Sequence, residues 1–412
     1  MRFIGDFALL RMRRGRRPSA RTMWVIPAQA AMLATQLLVA ILLARLLSVH
    51  DRGMVLGALL LIGLGVTATS GGLTLRAARA AANCEGYGRG MAMVLTLYAT
   101  VTLGLLALLS TTLPSQEDLI FGLLMIAFGP LGVLTNCLSS TAAGEGRLLT
   151  SVLIQWLPSL TAALGICMFI LLRLPLSVEI ALSLYLSGNA LAAVVGAFNA
   201  YRSGVFNTTA RSVSSFGQIL RESLLMSPAA ISQLLGLRLD SLLLTYISGP
   251  AALSIYAAAN SMASPIQMPV AAARGRIIAR GRKTLSDPMP LAKMSVAWIL
   301  LCITLVLLAA PLVVRLFGPD YAVALTVLPV LALAGGLQLV RDVMASSLLG
   351  VGEAKRVSIV EVVLAIISLP IYLSMIAWNS YMGAAIASCV VYAMAGIVFL
   401  NLIRNRTSGG AF

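Results

Sequence analysis

Long apolar runs recur along the whole chain, separated by short polar segments. A helix needs about 20 apolar residues to cross a bilayer core. Twelve stretches meet that need: residues 23–47, 54–74, 91–113, 119–142, 149–172, 180–201, 223–247, 251–272, 294–314, 322–349, 357–377 and 382–402. The pattern predicts an all-α integral membrane protein of about twelve transmembrane helices, because a helix satisfies its own backbone polar groups in lipid. The longest connections, around 202–222 and 273–293, leave no room for an extramembrane domain.

Composition agrees with that reading. The 412 residues are 59% hydrophobic and only 11% charged, against about 25% charged in a typical soluble domain. Cys84, Cys137, Cys167, Cys302 and Cys389 are scattered and form no CxxC, so they read as small hydrophobes. His50 is the only histidine. No metal site, haem site or histidine-based triad is expected, and no cofactor.

The net charge of +16 would suggest nucleic acid in a soluble protein. In a membrane protein, Lys and Arg collect on cytoplasmic loops. With the N-terminus inside, 24 of the 30 basic residues fall on the cytoplasmic side. They include seven arginines in the first 22 residues and the cluster Arg274 to Lys293. That asymmetry predicts cytoplasmic N- and C-termini and accounts for the charge without nucleic acid. The arginines before residue 23 precede a run too long for a signal-peptide core, so the first span is expected to stay attached. Phe3, Phe7 and Leu10 share a helical face that can lie on membrane lipids.

The chain also repeats itself. Gly144-Glu145-Gly146-Arg147 follows the fourth span, and Gly352-Glu353-Ala354-Lys355 follows the tenth, at an offset of 208. Ser139-Ser140 and Ser346-Ser347 precede them, and the turns after the first and seventh spans match at an offset of 200. The expected organisation is a basic segment 1–22, a six-helix bundle 23–201, a linker 202–222, a second bundle 223–402 and a tail 403–412. Six spans per half make the two bundles parallel repeats around a central cavity.

Charged residues inside spans are the sharpest chemical signal, since each costs about 2.5–3.5 kcal/mol at the bilayer centre on insertion scales. Arg238 and Asp240 lie in the seventh span, and Arg341 and Asp342 in the tenth. Arg238 is eleven residues before Gly249, roughly 16 Å at 1.5 Å per residue. Glu361, one turn inside the eleventh span, is expected to reach the interface. Two readings of the deep charges stand side by side: structural ion pairs, or cationic groups that meet an anionic headgroup. Polar stripes add Gln29 and Gln36 in the first span, Gln233 with Asp240 in the seventh, and Asn260, Ser264 and Gln267 in the eighth. Asn136, Gln155 and Gln338 are single polar positions. Interhelical hydrogen bonding is the plain use of such groups; a polar cavity is the other.

Three segments carry a family resemblance. They are Leu42-Leu43-Ala44-Arg45-Leu46-Leu47-Ser48 with Asp51-Arg52-Gly53; Arg238-Leu239-Asp240-Ser241-Leu242-Leu243-Leu244 with Gly249-Pro250-Ala251-Ala252-Leu253-Ser254-Ile255-Tyr256; and Leu316-Phe317-Gly318-Pro319-Asp320-Tyr321. The chain resembles the polysaccharide-transporter branch, which includes O-antigen flippases, of the multidrug/oligosaccharidyl-lipid/polysaccharide exporter superfamily. At the first external turn Ser48-Val49-His50 stands where relatives often have Gly-Pro.

The resemblance implies a flippase working by alternating access in a bacterial inner membrane. Its substrate would be a lipid-linked, undecaprenyl-diphosphate-type oligosaccharide or polysaccharide precursor. Arg238 would meet the diphosphate, with Asp240 as its partner or a proton site. With the deep charges and polar stripes read above, the candidate substrate-binding set is Arg238, Asp240, Arg341, Asp342, Gln36, Gln233, Asn260 and Gln267. Implied partners are the lipid-linked glycan, a proton or sodium ion for coupling, and a glycan polymerase or other assembly proteins. Two alternatives stand beside it. A drug/cation antiporter of the same superfamily would favour acidic cavity residues without a matched arginine. A membrane enzyme of glycan assembly would need larger external loops than this chain has.

Overall fold

The computed structural model describes residues 24–82, 89–110, 119–203, 215–267, 289–351 and 353–408. Among these, ten helices are long and apolar enough to cross a membrane. They are α1 (Val25–Leu46), α2 (Val49–Ala82), α3 (Arg89–Ser110), α4 (Leu119–Gly144), α5 (Leu148–Leu171), α6 (Val178–Arg202), α7 (Phe216–Ala263), α8 (Met289–Phe317), α9 (Ala324–Gly350) and α10 (Ala354–Ser408).

Two of these helices each hold two of the expected spans. α7 contains non-helical backbone at Gly249 (φ 84°), and α10 at Asn379 and Ser380. Both breaks are reversals. Tyr256 donates a hydrogen bond to Asp240 at 2.5 Å, yet sixteen residues of straight helix would separate them by about 24 Å. Tyr372 and Ser388, also sixteen apart, meet at 3.1 Å across the second break. The arms therefore fold back on each other, and the expected spans 223–247, 251–272, 357–377 and 382–402 are the arms. The eighth is described as far as Gln267.

One boundary differs in a way that matters. The second span was expected to end at Thr74, with Arg76 and Arg79 in a loop. α2 instead continues to Ala82. The run Arg76-Ala77-Ala78-Arg79-Ala80-Ala81-Ala82 is rich in strong helix formers. Arg76 is buried and pairs with Glu222 of α7 at 2.7 Å. A loop charge on the sequence pattern is thus a buried helical one.

The chain packs as two compact units, residues 17–234 and residues 235–412, with the division inside α7. In the first unit α4 is the central helix, packed against α2, α3, α5 and α6. In the second, α9 packs against α8 and most extensively against α10. There Ala345, Leu348, Val357 and Phe399 form a buried apolar cluster. The acidic residues of the two repeated motifs each pair with a nearby arginine, at i+2 after α4 and at i+3 after α9. Glu145 pairs with Arg147 after the first, and Glu353 with Arg356 at 3.4 Å after the second.

The third resembling segment also has a structural use. Gly318 takes φ 112°, a conformation glycine adopts without steric cost. Pro319 then opens a 3-10 turn. The turn delivers Tyr321, fully buried, to Ser254 of α7 at 3.0 Å.

Candidate functional site

The deep charges of the second unit form two adjoining groups. The first centres on Asp240, which is buried on the first arm of α7. Its carboxylate accepts from the Ser241 backbone N–H at 2.6 Å and the Ser241 hydroxyl at 3.1 Å. The Tyr256 phenol donates at 2.5 Å and the Ser388 hydroxyl at 3.5 Å. Ser388 in turn meets Tyr372 at 3.1 Å. Hydroxyls from both arms of α7 and the second arm of α10 thus converge on one carboxylate, with Tyr372 of the first arm of α10 bonded to Ser388 behind them. Hydrogen bonds to a charged acceptor are the stronger kind.

The second group centres on Arg341 of α9, which is 5% exposed. It forms an ion pair with Glu361 of α10 and a longer one, 3.5 Å, with neighbouring Asp342. Gly236 of α7 lies against it: a Cβ there would stand in ordinary van der Waals contact, 3.5 Å, with the guanidinium. The Tyr392 hydroxyl donates to the Gly236 carbonyl at 3.5 Å. Gly236 is one turn of α7 before Asp240, so the two groups lie side by side.

Arg238 belongs to neither group. It sits two residues before Asp240, which places the two side chains about 200° apart around a helix. Accordingly Arg238 is exposed and makes no ion pair among the described residues. A guanidinium facing hydrocarbon at that position would be costly, which favours a place turned to the bundle interior or a water-filled cavity. The expected Arg238–Asp240 partnership is therefore absent; Asp240 is held by hydroxyls. Glu361 also departs from expectation. It does not reach outward to the interface but inward to Arg341.

The remaining candidates disperse. Gln36 is exposed on α1 in the first unit, one residue from Thr35, whose hydroxyl accepts from the Trp156 indole at 3.0 Å. Asn260 is half-buried on the second arm of α7, and its carbonyl accepts from Ser264 at 2.7 Å. The side chains of Gln233 and Gln267 lie outside the described residues. Tyr256, Tyr372, Ser388 and Tyr392 were not singled out from the sequence. The available signal was the equal sixteen-residue spacing of hydroxyl and partner about each break. No cluster of His, Cys, Asp and Glu able to hold a metal occurs among the described residues.

Residues 21–278 match the family model described as polysaccharide biosynthesis protein. The chain belongs to that family. Solved structures share the fold over more than nine-tenths of the chain. An inward-facing multidrug resistance MATE family transporter of the MOP superfamily is 17% identical, with a TM-score of 0.65 over 92% of this chain and 95% of that one. An outward-facing form of such a transporter is 16% identical, with a TM-score of 0.63 over 94% of each chain. A MOP superfamily transporter from Pyrococcus furiosus is 17% identical, with a TM-score of 0.61 over 94% of each. That transporter is described as having a binding pocket of reverse polarity that suggests a different function. No curated protein sequence matches the chain significantly. The fold is the one these membrane transporters have.

Proposed function

We propose that the protein is a flippase for a lipid-linked glycan precursor of the undecaprenyl-diphosphate type. It moves the headgroup from the cytoplasmic to the outer leaflet of a bacterial inner membrane by alternating access, with both termini cytoplasmic. The observation that carries this reading is Arg238, a deep, exposed cation with no ion pair among the described residues. A guanidinium offers paired N–H donors that match phosphate oxygens, and the family is one of polysaccharide biosynthesis. Arg341 is not equivalent, because Glu361 and Asp342 already neutralise it. The Asp240 hydroxyl cage serves in this reading as the site where a proton or sodium ion couples to transport. A glycan polymerase or another assembly protein would take the product outside.

A drug/cation antiporter is the second reading. It is favoured by the acidic balance of the charges in these spans, where Asp240, Asp342 and Glu361 outnumber Arg238 and Arg341. Reconstitution separates the two. Vesicles holding the purified protein should flip a fluorescent polyprenyl-diphosphate sugar and should not accumulate a cationic dye. Dye uptake without lipid flipping would favour the antiporter.

A further inference from the structure

A second polar feature lies in the other unit, apart from the Asp240 and Arg341 groups. A cavity of about 220 Å³ opens among three helices of residues 17–234. α2 contributes Thr67, Ser70 and Thr74, spaced three and four apart and so on one helical face. α4 contributes Asn136 and Ser139, and α5 contributes Gln155. No charged side chain lines it among the described residues.

Part of this lining is fixed internally. Ser139 meets Ser151 at 2.9 Å, and the Gln155 amide donates to Ser139 at 2.8 Å. Ser70 and Thr74 donate to carbonyls of their own helix at 2.6 and 2.7 Å. The rest is open. The Thr67 hydroxyl, the Asn136 carboxamide and the Gln155 amide oxygen make no hydrogen bond to another described residue, and Asn136 and Gln155 are exposed. Groups used only to join helices would be satisfied by each other, as Ser139 and Ser151 are. Asn136 lies eight residues before the end of α4, roughly 12 Å along the helix. An amide left open to hydrocarbon there would be costly, so the cavity mouth is filled by water or by a polar ligand.

Hydroxyls and carboxamides both donate and accept. They suit a ligand whose groups do the same; hydroxyls and amide N–H groups can also donate to phosphate oxygens, but the open Gln155 amide oxygen only accepts and would oppose an anion.

We infer that this cavity receives one uncharged sugar ring of the transported glycan, separately from the diphosphate. The inference rests on the flippase reading and names a subsite within it. The test is equilibrium binding to the purified full chain in nanodiscs. The probes are bare polyprenyl diphosphate and the same lipid carrying one glucose, galactose or N-acetylglucosamine. At least one sugar should tighten binding over the bare lipid. Asn136→Leu and Thr67→Val should each reduce that gain about three- to ten-fold, the range for losing one hydrogen bond, and leave the bare lipid unaffected. If the bare lipid binds and no sugar tightens it, or if the gain survives both variants, the sugar subsite is overturned while the flippase reading stands. If no lipid binds, both fall.

Discussion

Arg341 on α9 is held by Glu361 on α10, an ion pair that joins two helices inside the membrane-spanning part of the second unit. Glu361 lies near the start of α10 and Arg341 in the second half of α9, so the pair fixes the register of the most extensive helix contact in that unit.

Breaking one side of this pair should be costly. Glu361→Leu leaves a buried guanidinium with only Asp342 at 3.5 Å, and the expected loss is about 3 kcal/mol. The double variant Arg341→Met with Glu361→Leu should regain most of it, because a buried pair replaced by apolar groups is often neutral. Thermal unfolding in detergent measures both. A double variant as unstable as the single one would contradict the pairing.

The two reversals make different demands on their glycines. Gly383, just after the α10 break, approaches Met375 so closely that a methyl group would lie 1.8 Å from its carbonyl oxygen. Gly249 has open space around it but a φ of 84°. Gly383→Ala should therefore cost about 2–3 kcal/mol through overpacking, and Gly249→Ala about 1–2 kcal/mol through backbone strain alone. Melting temperatures should fall in that order; the reverse order would show that the arms of α10 do not cross where described.

Asp240→Asn keeps the shape of the hydroxyl cage and removes its charge. Transport by the variant should no longer respond to an imposed proton or sodium gradient, while binding of the lipid substrate persists. A gradient response equal to that of the unaltered protein would remove Asp240 from the coupling site.

Much of this was legible in the sequence, because apolar length alone locates a span. Every expected span has its helix or arm among the described residues, and the positions 238, 240, 341 and 342 are all in spans. Pairing was not legible. Arg238 and Asp240 are near in sequence but on different helical faces, whereas Arg341 and Glu361 are twenty residues apart and in contact. Arg76 shows the same limit: at the end of a run it counts as a loop charge until Glu222 is seen against it. Buried tyrosines such as Tyr256 read as ordinary core until a reversal brings the carboxylate to the phenol.

The proposed orientation rests on the distribution of Lys and Arg. Reporter fusions should place residues 274–293 in the cytoplasm. A periplasmic signal there would invert the proposed direction of transport.

The central claim is that Arg238 meets the diphosphate of a lipid-linked glycan. Its most direct test is the flipping rate of a fluorescent polyprenyl-diphosphate sugar in vesicles with the unaltered protein, Arg238→Lys or Arg238→Ala. The account predicts rapid flipping by the unaltered protein, a partial rate with lysine, and a rate at least about tenfold lower with alanine, one charge-assisted contact being worth about 1.5–3 kcal/mol. Equal rates for the unaltered protein and Arg238→Ala, with both correctly inserted, would contradict it.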